Sequence, residues 1–240
     1  MDQTQPRATP TVTQVALIGL FVTALVTAQL TASKILLFEL PFAIPVTGTD
    51  LLLPGAALAY ALTFFASDCY SELYGRKAAQ IVVNVAFAMN AVVLVLVWST
   101  IAAPASPTGV DPTTFETVLG ASTNIVAGSL LAYVVSQNWD VVVFHRIREY
   151  TDGDALWLRN LASTASSQAI DTVIFVTVAF WVAPQVLGVG FQMGTSGLAA
   201  LIVGQYLLKL AIAILDTPLV YAVVGFVRSR EATRDESVPA

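Results

Sequence analysis

The sequence predicts an all-α integral membrane protein: a bundle of six transmembrane helices with both termini cytoplasmic. Three observations carry this expectation: the composition, the length of the apolar runs and the placement of the cations. Of 240 residues, 56% are hydrophobic and only 11% charged, with a mean hydropathy of +0.75. A soluble domain carries about 25% charged residues. An α-helix needs about 20 apolar residues to cross a hydrocarbon core about 30 Å thick, and it satisfies its own backbone polar groups on the way. Six such runs use up nearly the whole chain, so one membrane domain is expected over residues 12–227, between cytoplasmic tails at 1–11 and 228–240.

The first span is expected at 12–33, after the polar start "MDQTQPRATP". The run is too long for a signal-peptide core and has no clear small-residue cleavage site, so it reads as an uncleaved helix. Ala24, Ala28 and Ala32 stand four apart on one ridge, which allows close helix approach, either inside the chain or against a partner membrane protein. Between this span and a second at 52–73 lies "LLFELPFAIPVTGTD", interrupted by Pro41 and Pro45. Its apolar part is too short to span. Residues 35–46 therefore read as an extracellular cap or a re-entrant segment, because irregular backbone at membrane depth must be buried in protein or line a cavity.

The third and fourth spans are expected at 79–102 and 117–143. Asn84 and Asn90 in the third and Asn124 in the fourth offer amides for hydrogen bonds between helices. The fifth and sixth follow at 157–183 and 198–227, the latter carrying Asp216, Thr217 and Pro218 in a row. A proline there frees a backbone carbonyl and predicts a kink, which Asp216 would cap, or beside which it would line a path.

Nine of the eleven Lys and Arg fall on one side: Arg7, Arg76, Lys77, Arg146, Arg148, Arg159, Arg228, Arg230 and Arg234. The other side has Lys34 alone. Cationic loops stay in the cytoplasm, which places both termini inside a multi-pass protein of the cell (inner or plasma) membrane. Cys69 is the single cysteine, so no intramolecular disulfide is available. His145 is the single histidine and has no zinc-ligand spacing around it, so it reads as an exposed helix-end residue; no metal and no cofactor are expected.

Two charges stand where lipid should exclude them. A charged side chain at the bilayer centre costs about 2.5–3.5 kcal/mol even on the lenient insertion scale, so each needs a partner. Asp171 in the fifth span and Lys209 in the sixth both lie roughly 17 Å below the outer helix ends at 1.5 Å per residue. Helices joined by a short loop are neighbours, which predicts an Asp171–Lys209 ion pair in mid-membrane. Thr164, Ser167, Gln168 and Asp171 recur at spacings of three and four and form one polar stripe. The stripe reads as the wall of a wet cavity, or else as hydroxyls bonded to their own helix around a structural ion pair.

The stretch "SDCYSELYGRKAA" ends the second span with Asp68 and Glu72 on one helix face, where salt bridging is expected. No HExxH, GxSxG or phosphate-binding glycine loop occurs, so an enzyme is not expected. Together with "LAYVVSQNWDVVVFHRIRE", "WLRNLASTASSQAIDTVIFVTVAFW" and "YLLKLAIAILDTPLVYAV", this stretch resembles the ordered motif blocks of the queuosine precursor transporters, also called the VUT family. The resemblance covers roughly residues 20–227. Its motif positions fall on Asp68, Glu72, Tyr74, Gly75, Gln137, Asp140, Ser163, Thr164, Asp171, Lys209, Pro218 and Tyr221. The chain departs at Gln29, where an asparagine-like residue is expected, and at Asp216, where relatives are apolar.

That resemblance implies an importer of 7-deazaguanine bases, such as 7-cyano-7-deazaguanine or its aminomethyl relative, salvaged for modified tRNA bases (queuosine, or archaeosine in an archaeal source). The expected substrate-binding set is Asp171, Lys209, Gln168, Thr164, Ser167, Phe175, Tyr206 and Asn124. Phe175, Tyr206 and Trp157 are candidates to stack on the base, with Trp157 also suited to the interfacial belt. Asp68, Glu72, Asp140 and Asp216 are candidates for coupling or gating, with Asp171 or Asp140 able to carry a proton. The partners expected are a purine-like small molecule and the lipid bilayer, not nucleic acid. Homo-oligomerisation remains open, as does the alternative of a vitamin-type substrate-binding subunit docked to an energising ATPase through the alanine ridge. A structural or sensory membrane protein without cargo is the third reading.

Overall fold

The computed structural model describes residues 9–151 and 156–236, with side chains described over 9–151 and 161–230. The elements run α1 (Val12–Thr31), β1 (Ile35–Ile44), β2 (Gly48–Pro54), α2 (Ala57–Tyr74), α3 (Arg76–Ala102), α4 (Pro112–Gly120), α5 (Ser122–Tyr150) and α6 (Leu156–Thr177). A π-helical turn (Val178–Val182), α7 (Ala183–Leu187) and α8 (Thr195–Glu236) complete the chain. Among the described residues, five helical stretches are long and apolar enough to cross a membrane: Val12–Thr31, Arg76–Ala102, Pro112–Tyr150, Leu161–Leu187 and Thr195–Arg230. α2, with 18 residues and a polar C-terminal half, is shorter and less apolar. The protein is thus a mostly helical membrane protein with five to six long apolar helices.

The expected second span is corrected at its start. Residues 51–54 are strand, not helix: Ile35 pairs antiparallel with Pro54, and the register runs to Glu39 opposite Asp50. The bundle therefore carries a two-stranded β-hairpin. A short apolar run has the same composition in a strand as in a helix. Here the prolines at 41 and 45 deny helical hydrogen bonds to the first arm, and Val46 and Gly48 turn the chain at φ 76° and 67°.

The base of the hairpin is pressed into the bundle. A Cβ on Gly204 of α8 would lie 2.0 Å from the Leu52 carbonyl oxygen, and one on Gly55 would lie 2.4 Å from that of Thr31. Only glycine admits backbone this close. Gly204 stands about 14 Å along α8 from its first residue, so the hairpin base lies level with the helices. The opposite end of the hairpin exposes Phe38, Phe42 and Val46.

Packing separates into two cores. One joins Ala28 and Ala32 of α1 to Ala56, Ile125, Phe175, Phe180 and Leu201. The other joins Leu17, Cys69, Tyr70, Ala79, Val220 and Val224. Ala24, Ala28 and Ala32 are all buried, so the alanine ridge packs within the chain and is not a docking face. α8 threads both cores with one buried stripe: Leu198, Leu201, Gln205, Lys209, Ile212, Asp216, Val220 and Val224. Their spacing of three and four is that of a single helix face.

The segment that follows α6 is built around a proline in α7. Pro184 has no N–H to give the Phe180 carbonyl, and the Met193 N–H supplies that bond at 2.8 Å from the loop beyond. Gly128 lets α5 approach this segment closely, since a Cβ there would meet that of Ala179 at 2.9 Å. At their C-terminal ends, α5 continues to Tyr150 past the expected 143 and α8 to Glu236 past the expected 227. His145 is exposed, as its sequence context indicated.

Candidate functional site

The expected ion pair is present. Lys209 Nζ donates to Asp171 Oδ2 at 2.5 Å, with side-chain exposures of 2% and 18%. Ser136 of α5 donates to the other carboxylate oxygen at 3.2 Å. The Lys209 ammonium also stands 5.5 Å from the centre of the Tyr60 ring, inside cation–π range. Three helices and the ring of a fourth thus converge on one buried charge pair, and each partner gains contacts that offset part of its desolvation.

Asp171 forms part of the wall of a cavity of about 240 Å³. The cavity lies between α1, α2, α3, α5, α6 and α8, beneath the hairpin base at Pro54 and Ala56. One part of its wall is aromatic: Phe21, Tyr60, Phe64, Phe87, Tyr133 and Phe175. Phe87 and Tyr133 stack with centroids 4.6 Å apart. The Tyr133 hydroxyl is held outside the apolar wall by Asn84 and Gln80, at 2.8 and 2.6 Å. The polar part includes Gln29, Thr63, Ser67, Ser129, Ser136, Gln137, Gln168, Asp171 and Gln205. The carbonyl oxygens of Gln29, Gln168 and Gln205 are buried without a hydrogen-bond partner. Ligand sites for drug-sized molecules occupy roughly 300–1,000 Å³, so this one suits a smaller, flat molecule with polar edges.

Of the expected substrate-binding set, Asp171, Gln168 and Phe175 line the cavity and Lys209 stands behind Asp171; the motif position Gln137 and the departure Gln29 line it too. Four others do not. Tyr206 packs between α8 and α6, its hydroxyl 3.3 Å from the Ala165 carbonyl. Asn124 donates to the Val189 carbonyl at 2.6 Å and ties down the loop between α7 and α8. Thr164 is exposed. Ser167 turns away from the cavity toward Asp140, donating to its carboxylate at 3.3 Å. The stripe on α6 is therefore split, because a helical face about a quarter-turn wide touches two neighbours, and only its last turn faces the cavity. Trp157 lies outside the residues whose side chains are described.

The coupling candidates also separate. Asp68 and Glu72 are exposed on α2 and form no ion pair among the described residues; Arg228 donates instead to the Glu72 backbone carbonyl at 2.9 Å. Asp216 is 8% exposed with Oδ2 unpartnered, and its carboxylate lies within electrostatic reach of Asp68. Gly75, at φ 89°, makes the sharp turn from α2 to α3. Pro218 and Tyr221 are exposed and remote from the cavity lining.

Sequence reading missed Tyr60, Ser136 and Gln205. Gln205 had a signal, since it stands one turn above Lys209 on the same face of α8. Tyr60 and Ser136 had none, because their place depends on how α2 and α5 rotate in the bundle.

Comparison with known proteins agrees with the motif blocks. Residues 54–223 match the family model described as "Putative vitamin uptake transporter". A Bacillus subtilis (strain 168) protein named "Probable queuosine precursor transporter" is 33% identical over 164 residues, which is 68% of each chain. No solved structure matches the chain. With the family model covering most of its length, the chain belongs to the queuosine precursor transporter, or VUT, family of membrane transporters.

Proposed function

We propose that the protein imports a 7-deazaguanine base, such as 7-cyano-7-deazaguanine, for tRNA modification, and that the cavity beside Asp171 is where the base is held. The observation that supports this most is the Asp171–Lys209 pair on the wall of a small cavity faced with aromatic rings. A guanine-like edge presents N1–H and an exocyclic amine as adjacent donors, which one carboxylate accepts in bidentate fashion. Its O6 accepts from an ammonium. In the empty state Asp171 and Lys209 neutralise each other, and on binding they turn to the base edge. The faces of the base pack on Phe64, Phe87 and Phe175, where stacking contributes about 1–3 kcal/mol per base.

The chain is oriented with both termini in the cytoplasm and works by alternating access. The hairpin base closes the cavity toward the outside. Asp216, with Asp68 across from it on α2, is the site of proton coupling, separate from the cargo site. Docking to an energising subunit finds no support in the alanine ridge, which is buried in the chain.

The test is uptake by cells that cannot make the base, with tRNA modification as readout. Wild type is expected to restore modification and the double variant Asp171→Asn/Lys209→Met, which leaves no buried charge unpaired, to fail at equal membrane abundance. No restoration by wild type would remove the cargo assignment.

A further inference from the structure

We infer that cargo leaves the cavity toward the cytoplasm between α3 and α5, and that Tyr133 is the residue that closes this route. The inference rests on the reading that the cavity is the cargo site and that both termini are cytoplasmic. α3 and α5 run antiparallel and are joined near the C-terminal end of α3. There Trp98 donates to the Thr123 hydroxyl at 2.9 Å, and Gly120 lies against the Trp98 ring. Roughly 15 Å further along the two helices, at 1.5 Å per residue, the bridge between them is the Tyr133 ring stacked on Phe87. Both rings line the cavity.

The two rings are held differently. Phe87 packs against the core of Phe21, Leu25, Ala66 and Ala86, which fixes it. Tyr133 is half-buried and is held on Phe87 through its hydroxyl, which donates to Asn84 and accepts from Gln80. Gln80 and Asn84 are both exposed. Exposed amides at membrane depth are disfavoured against lipid and satisfied by water, so the cleft beyond Tyr133 is a wet vestibule. Asn84 stands about 12 Å along α3 from Arg76, so the vestibule opens at the end of α3 that carries the basic pair Arg76 and Lys77. Gln137, one turn past Tyr133 on α5, is exposed and also lines the cavity. Cavity and vestibule meet there. Ser136, in the same turn, donates to Asp171. When Asp171 turns to the cargo, α5 loses this tether beside Tyr133.

Cysteine labelling tests this on the full-length protein in membrane vesicles of either orientation, with a membrane-impermeant methanethiosulfonate as the probe. Ser129→Cys places the reporter on the cavity wall, one turn of α5 before Tyr133. Native Cys69 is buried and free, and its silence verifies that each variant is folded. Reagent on the cytoplasmic face should modify Ser129→Cys roughly tenfold faster when Tyr133→Ala removes both ring and hydroxyl. Tyr133→Phe keeps the ring and loses the two hydrogen bonds, and should accelerate labelling roughly threefold. Reagent on the outer face should gain nothing from either substitution.

Unchanged labelling from the cytoplasmic face in the folded variants overturns the inference. So does acceleration from the outer face, alone or alongside, which would mean that Tyr133 does not guard a one-sided route. If Tyr133→Ala exposes Cys69, Tyr133→Phe decides by itself. Should uptake of 7-cyano-7-deazaguanine fail while labelling changes as expected, the release route stands and the cargo assignment falls.

Discussion

The upper and lower halves of the buried face of α8 are built on opposite terms. In the upper half, Gly204 receives the Leu52 carbonyl, Gln205 faces the cavity and Lys209 closes on Asp171 with Ser136 and Tyr60 around it. Every charge there has a countercharge. In the lower half, Asp216 lies within electrostatic reach of Cys69 and of another acid, Asp68, with one carboxylate oxygen unpartnered. A buried pair is disrupted by losing one partner, whereas a buried lone acid is relieved by losing its charge. On the proposed function, the same helix face holds a binding station above and a group suited to carrying a proton below.

The largest expected effect is at Asp171. Asp171→Asn leaves Lys209 buried without its anion, which should cost about 3–5 kcal/mol of stability and abolish uptake; thermal unfolding in detergent and cellular uptake measure the two losses. Gly204→Val comes next, because a Cβ would lie 2.0 Å from the Leu52 oxygen. It should destabilise by about 1–3 kcal/mol by displacing the hairpin, with a matching rise in reactivity of a cysteine placed at Leu53, which is buried at the hairpin base. Normal stability and unaltered labelling would show that the hairpin does not rest on α8.

In the lower half the effect should divide by assay. Asp216→Asn keeps the shape and removes the lone acid, so stability should stay within about 1 kcal/mol. Reconstituted protein should lose accumulation driven by a proton gradient while retaining exchange of base across the vesicle. Gradient-driven accumulation at wild-type rates would remove Asp216 from coupling. Tyr206→Phe removes one hydrogen bond of 3.3 Å between α8 and α6. It should cost about 1 kcal/mol or less and leave base affinity unchanged.

The smallest effect lies away from both halves, at the start of α4. Asp111 accepts from the backbone N–H and hydroxyl of Thr114 at 2.8 and 2.9 Å, and these bonds hold its pKa below the ordinary 3.8. A carboxylate depressed on folding stabilises above its unfolded pKa and loses that contribution as pH falls through the folded one. Amide exchange at residues 113–115 should therefore quicken only in acid below the ordinary carboxylate range.

Much of the fold was legible because each span is long and its lipid-facing sides are uniformly apolar. The Asp171–Lys209 pair was legible for the converse reason: two charges at equal depth on helices joined by a short loop have few other partners. What could not be read was rotation. Which face of α6 meets the cavity depends on packing against α5 and α8, so Gln168 and Asp171 point in while Ser167 turns to Asp140 and Thr164 outward. The hairpin was hidden for another reason. Leu51–Pro54 continue the apolar run of α2, and only the pairing with Ile35–Phe38 reveals them as strand.

The most direct measurement compares wild type with the double variant Asp171→Asn/Lys209→Met, which removes the pair without leaving a charge unpartnered. Stability and affinity for 7-cyano-7-deazaguanine are measured on the same preparation. A pair that serves as a binding station predicts near wild-type stability, since replacing a whole buried pair is often neutral, together with loss of binding. Binding at wild-type affinity in the folded double variant would contradict it.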